Sequence, residues 1–63
     1  MRKIIETPAV YYEIKESEII KDRYYIYMIS KLTDTYRGEA MLENIKSIED
    51  INIEVINKLN FEL

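Results

Sequence analysis

The run Tyr24-Tyr25-Ile26-Tyr27-Met28-Ile29-Ser30-Lys31-Leu32 constrains the fold more than any other stretch of the chain. Read at a period of two, Tyr24, Ile26, Met28 and Leu32 share one side, and Tyr25, Tyr27 and Ile29 share the other. Aromatic and β-branched side chains fit a pleated surface. A strand apolar on both sides belongs in the interior of a sheet, with cover on each side. The chain has 63 residues, which allows one domain, residues 1–63, and little material for two covering layers. A fold of this size buries only ~60% of the surface its unfolded chain exposes.

Two further strands flank this run. Val10-Tyr11-Tyr12-Glu13-Ile14-Lys15 alternates, with Val10, Tyr12 and Ile14 on one side and Tyr11, Glu13 and Lys15 on the other. Pro8, which lacks an N–H, suits the start or edge of that strand. A turn falls between Ser17 and Arg23, with Lys21-Asp22 as its expected tip because Asp bonds its own downstream backbone. On that reading Ile19 and Ile20 extend the strands beside the tip. After the polar turn Thr33-Asp34-Thr35, a third strand runs from Tyr36 to Leu42. It sets Tyr36, Gly38, Ala40 and Leu42 against Arg37, Glu39, Met41 and Glu43. Gly38 marks a bulge or a close backbone approach, and the small side leaves room for a helix.

The last third changes period. Ser47-Ile48-Glu49-Asp50 has the pattern of a helix start, a hydroxyl at the cap followed by acids. Ile48, Ile51, Val55, Ile56 and Leu59 then fall within an arc of ~140° at helical spacing, so a helix is expected over 48–60. Phe61 and Leu63 are expected to fold back on the sheet. The expected fold class is α+β: a three-stranded antiparallel sheet with one C-terminal helix packed on one face (β-β-β-α). Residues 1–7 offer an additional short edge strand through Ile4 and Ile5.

Composition narrows the chemistry. The chain has no Cys and no His, so disulfides, thiolate metal sites, Cys nucleophiles and His acid–base catalysis are all excluded. No carboxylate spacing matches an EF-hand or a related metal loop, and no cofactor is implied. A catalytic cleft needs walls that so short a chain rarely supplies, so a non-enzymatic role is expected. The net charge is −3, with +1 on residues 1–32 and −4 on residues 33–63. That balance disfavours a surface that tracks phosphates, which needs clustered Lys and Arg. Met1-Arg2-Lys3-Ile4-Ile5-Glu6 lacks the apolar core of a secretory signal, and no run is long enough to span a bilayer. A cytoplasmic location is expected. Twelve Ile against two Ala and one Gly indicate AT-rich coding. In size and bias the chain resembles small proteins of low-GC bacteria and their phages, many of which are stoichiometric inhibitors or regulators.

One helix covers one sheet face. The opposite face would carry Tyr11, Tyr25, Tyr27 and Ile29, which are the candidate protein-binding residues. Tyrosine tolerates half-exposed strand positions, with its ring on neighbours and its hydroxyl in water, and it is also enriched at binding hot spots. An open apolar face on a small protein is costly unless paired. The expected partner is another protein or a second copy of the chain, as a homodimer, through this face or an unpaired strand edge. Two other functions are weighed against it. Sheet aromatics can stack the bases of single-stranded nucleic acid, with Arg23, Lys31 and Arg37 flanking them. Alternatively the acidic half (Asp34, Glu39, Glu43, Glu49, Asp50, Glu54 and Glu62) mimics phosphate and blocks a nucleic-acid-binding protein.

Overall fold

A computed structural model describes residues 2–63. Its centre is a four-stranded antiparallel meander in the order β1-β2-β3-β4: β1 (Arg2–Glu6), β2 (Val10–Glu16), β3 (Tyr24–Ser30) and β4 (Tyr36–Leu42). The sheet therefore has four strands rather than three. Arg2–Glu6 forms a full strand because Thr7 and Val10 close a tight hairpin, with the Thr7 N–H donating to the Val10 carbonyl at 2.8 Å. Pro8 sits in that turn, where its missing donor costs nothing.

Alternation places the core on one face. Tyr12, Ile14, Tyr24 and Ile26 are buried there, beneath Ile48, Ile51 and Ile56 from the C-terminal third. Ile14, Ile26, Ile51 and Ile56 are the largest fully buried side chains. Each contributes on the order of 1.5–3 kcal/mol of hydrophobic stabilisation. Phe61 packs on Tyr12 with ring centroids 5.6 Å apart, but Leu63 does not fold back and is exposed.

The cover is not one helix over 48–60. It is a short 3-10 turn, Ile48–Asp50, followed by a single α-turn, α1 (Ile53–Ile56). Ser47 does cap the first piece, accepting from the Glu49 N–H. The break lies at Ile51 and Asn52, both with extended backbone. The Asn52 side chain accepts from the Val55 N–H at 3.1 Å and so starts a new helix. The β-branched run Ile51, Ile53, Val55 and Ile56 weakens a continuous helix further. The freed Ile51 carbonyl accepts a hydrogen bond from Lys3 Nζ of β1 at 3.1 Å. The apolar arc thus identified Ile48, Ile51 and Ile56 as core, with Leu59 packed against them, but Val55 is only partly buried and the implied helix is interrupted.

Three other expectations are corrected. Ile19 and Ile20 do not extend strands; they lie in the 17–23 loop and are exposed. That loop is tied by Ser17, whose Oγ accepts from the Ile19 and Ile20 N–H groups. Its tip is at Lys21-Asp22, with Asp22 at φ 61°. Leu32 is not part of β3, which ends at Ser30, and it stands exposed in the next turn. Tyr36 does not share a side with Gly38 and Ala40. The β3–β4 register shifts between Met28 and Ile29, so Met28 faces Gly38 but Ile29 faces Tyr36. Arg37 is the extra residue, and a bulge of this kind reverses parity beyond it. Gly38 has φ 139°, and a Cβ there would lie 3.2 Å from the Glu62 carbonyl oxygen. It serves the bulge and a close approach together.

Candidate protein-binding face

The sheet face opposite the core is covered by no other element among the described residues, and register fixes what it displays. One cross-strand row reads Glu6, Tyr11, Ile29, Tyr36. The next reads Ile4, Glu13, Tyr27, Glu39, and the third Arg2, Lys15, Tyr25, Met41. All four candidates from the sequence, Tyr11, Tyr25, Tyr27 and Ile29, therefore lie on this one face. They are half-buried, and loop residues also touch two of them, Asp34 at Tyr11 and Arg23 at Tyr25. Tyr36, Ile4 and Met41 join them and are more exposed, at 42%, 49% and 46%. Of these, Met41 was legible from parity in β4. Tyr36 required the bulge, and Ile4 required β1 to be a strand.

Tyr27 is the centre. Its cross-strand neighbours are Glu13 and Glu39. The Tyr36 ring lies 6.5 Å away at a 47° tilt, a spacing typical of attractive aromatic pairs. Lys15 Nζ sits 5.6 Å from the Tyr27 ring centroid, within cation–π range. Tyr36 donates its hydroxyl to Glu39 Oε1 at 2.9 Å, and Tyr11 donates to Asp34 Oδ1 at 3.3 Å. The phenols respond to these surroundings. Desolvation, then the Asp34 charge, raises the Tyr11 pKa. Desolvation, then Glu39, raises that of Tyr27, and the Glu39 hydrogen bond raises that of Tyr36. All three stay neutral donors across the physiological range.

Charges frame the rings. Arg2 and Lys15 both approach Glu13, at 3.3 and 3.7 Å. Lys31 pairs with Glu6 at 2.9 Å. At the far end Arg23 pairs with Glu43 at 2.7 Å, and the bond to Glu43, then one to Tyr25, raises the Arg23 pKa. Glu39 has no ion-pair partner among the described residues and faces solvent beside Tyr27 and Tyr36. The face is therefore rich in tyrosine, with Glu13 and Glu39 on either side of the central Tyr27 and ion pairs at its borders.

A separate groove lies at the hairpin end of the sheet. It holds about 610 Å³ and is lined by Pro8, Val10, Met28, Leu32, Lys31 and Arg37 among others, with no carboxylate. No group of three or more Asp and Glu is placed to hold a metal ion among the described residues. No helix among them is long and apolar enough to cross a membrane. Compared with known proteins, the chain matches no family model, no curated protein and no solved structure.

Proposed function

We propose that this chain is a small non-enzymatic binding module that engages another protein through the open sheet face, acting as a stoichiometric inhibitor or regulator. One observation carries the reading. Tyr11, Tyr25, Tyr27, Ile29 and Tyr36 converge on one face that no other element covers among the described residues, while the C-terminal third packs on the other. Rigid aromatic side chains with a polar tip give large contact area at small entropic cost. Glu39, which holds the Tyr36 hydroxyl but has no ion-pair partner among the described residues, favours a partner that offers Lys or Arg at the centre of the contact.

Base stacking by single-stranded nucleic acid is the weaker reading. Glu13 and Glu39 stand on both sides of Tyr27, and the nearby cations Arg2 and Lys15 are committed to Glu13, so a strand stacked there would meet carboxylates beside its phosphates and no free cation cluster. Phosphate mimicry by the acidic half is weaker as well. Glu43 is neutralised by Arg23, and Glu49, Asp50 and Glu54 sit on the C-terminal cover instead of in the sheet face. The test is a double variant, Tyr25→Ser with Tyr27→Ser, compared with the wild-type chain as bait in extracts of the producing cell. The reading expects a stoichiometric protein to be lost while the circular dichroism spectrum is kept. Retention of every bound protein by the folded variant overturns it. Affinity for single-stranded RNA or DNA with a steep salt dependence would favour the second reading.

A further inference from the structure

The two edges of the sheet are treated differently. On the β4 edge, the chain's own C-terminal segment pairs with Glu39: the Glu39 N–H donates to the Glu62 carbonyl at 2.8 Å, and the Glu62 N–H donates back at 2.9 Å. The bulge at Arg37 also distorts that edge, and both devices hinder pairing with another chain. The β1 edge has neither. It is a regular five-residue strand with no proline, no bulge and no strand beside it among the described residues.

Hydrogen-bond parity shows what this edge offers. Thr7 bonds to Val10 across the hairpin, so alternate residues Lys3 and Ile5 turn their backbone groups to β2. Arg2, Ile4 and Glu6 then turn theirs outward, each with one N–H and one C=O. None of these three takes part in a turn, cap or side-chain bond to its main chain among the described residues. Lys3, whose charge could guard the edge, lies on the core face with its ammonium committed to the Ile51 carbonyl.

The open-face positions of β1, Arg2, Ile4 and Glu6, are complementary to themselves when the strand is reversed, while Lys3 falls opposite Ile5 on the core face. Antiparallel pairing centred on Ile4 sets Ile4 against Ile4, and Arg2 against Glu6 of the second copy. Both of these pairs lie on the open face, where Ile4 is 49% exposed. Arg2 already meets Glu13, and Glu6 already meets Lys31. Pairing therefore produces an unbroken alternation of charge across the junction: Lys31, Glu6, then Arg2 and Glu13 of the second copy. Opposite charges placed directly across a sheet stabilise it, and like charges do the reverse.

We propose that β1 is a self-recognition edge, and that two copies of this chain join there antiparallel about Ile4 into one continuous sheet, with both tyrosine faces on the same side. This is strand addition with a second copy as the occupant. It stands apart from the reading of the aromatic face, since either can fail without the other. The contact is small, so the dimer forms in a concentration-dependent way.

Sedimentation equilibrium of the full chain over a range extending to millimolar protein tests it. Arg2→Glu alone and Glu6→Arg alone each place like charges across the junction. Each is expected to weaken the dimer by at least about tenfold, and an equimolar mixture of the two is expected to recover a heterodimer. Amide exchange of Ile4 and Glu6 in the wild type should slow as concentration rises. Tyr25→Ser with Tyr27→Ser should leave dimerisation unchanged. A wild-type chain that remains monomeric throughout overturns the proposal. So does a dimer insensitive to both charge reversals, or one in which the Ile4 amide exchanges at the monomer's rate. Circular dichroism of each single variant confirms that it is folded.

Discussion

Tyr24 and Tyr25 are neighbours in sequence and occupy opposite sides of the same sheet. Tyr24 is 3% exposed beneath the C-terminal cover, whereas Tyr25 is half-buried on a face that nothing covers among the described residues. The same split divides all six tyrosines: Tyr12 and Tyr24 belong to the core, and Tyr11, Tyr25, Tyr27 and Tyr36 to the open face. Residue type alone does not say which tyrosines hold the fold together and which are offered outward. Strand parity does, and in β4 only after the bulge is counted.

The largest expected effect comes from the covered side. Ile26→Ala removes a fully buried side chain at the centre of the sheet and should cost about 2–5 kcal/mol, measured by urea unfolding. Tyr27→Ala, one residue away on the open face, loses mainly its sheet neighbours and should cost about 1 kcal/mol. Equal losses at the two positions would break the comparison between faces. Next is Gly38→Ala. It forces a side chain into a left-handed backbone against the Glu62 carbonyl, with an expected cost of about 1–3 kcal/mol. The amide protons of Glu39 and Glu62 should then exchange faster. Smaller again is Asn52→Ala. It removes the cap that restarts the C-terminal helix and should cost about 1 kcal/mol.

The pH dependence sharpens the comparison with the least perturbation. The pKa values of Tyr11, Tyr24, Tyr27 and Tyr36 are all raised above 10.0 in the fold. A phenol whose pKa is raised by folding contributes stability that is fully present below the unfolded value. That contribution is lost as pH rises through the folded value. Melting temperature should therefore be insensitive to these groups at neutral pH and fall above about pH 10. Tyrosinate absorbance should develop later than in the unfolded chain.

Much of this arrangement was legible because β2 and β3 pair without a bulge. Over Val10–Glu16 and Tyr24–Ser30 a period of two translates directly into faces, which brought Tyr11, Tyr25, Tyr27 and Ile29 together. The tip is legible at Lys21-Asp22 because Asp can bond its downstream backbone; the position holds, but the Asp22 carboxylate takes Lys46 instead and the residue supplies a positive φ. What failed had local causes. Two adjacent isoleucines in Arg2–Glu6 give no clear alternation, so β1 became definite only through its hairpin. One extra residue at Arg37 carried Tyr36 to the other face. Asn52 reads as a polar interruption in an apolar arc, but physically it ends one helical piece and caps the next. Ile19 and Leu32 are exposed loop residues, and hydrophobicity without a periodic neighbourhood cannot assign a side.

The most direct measurement is hydroxyl-radical footprinting of the purified chain, with modification rates resolved for each tyrosine by mass spectrometry. The account predicts that Tyr11, Tyr25, Tyr27 and Tyr36 react readily while Tyr12 and Tyr24 are protected until the chain is unfolded. Comparable reactivity of Tyr24 and Tyr25 in the folded protein, or protection of all six in a monomer, would contradict it.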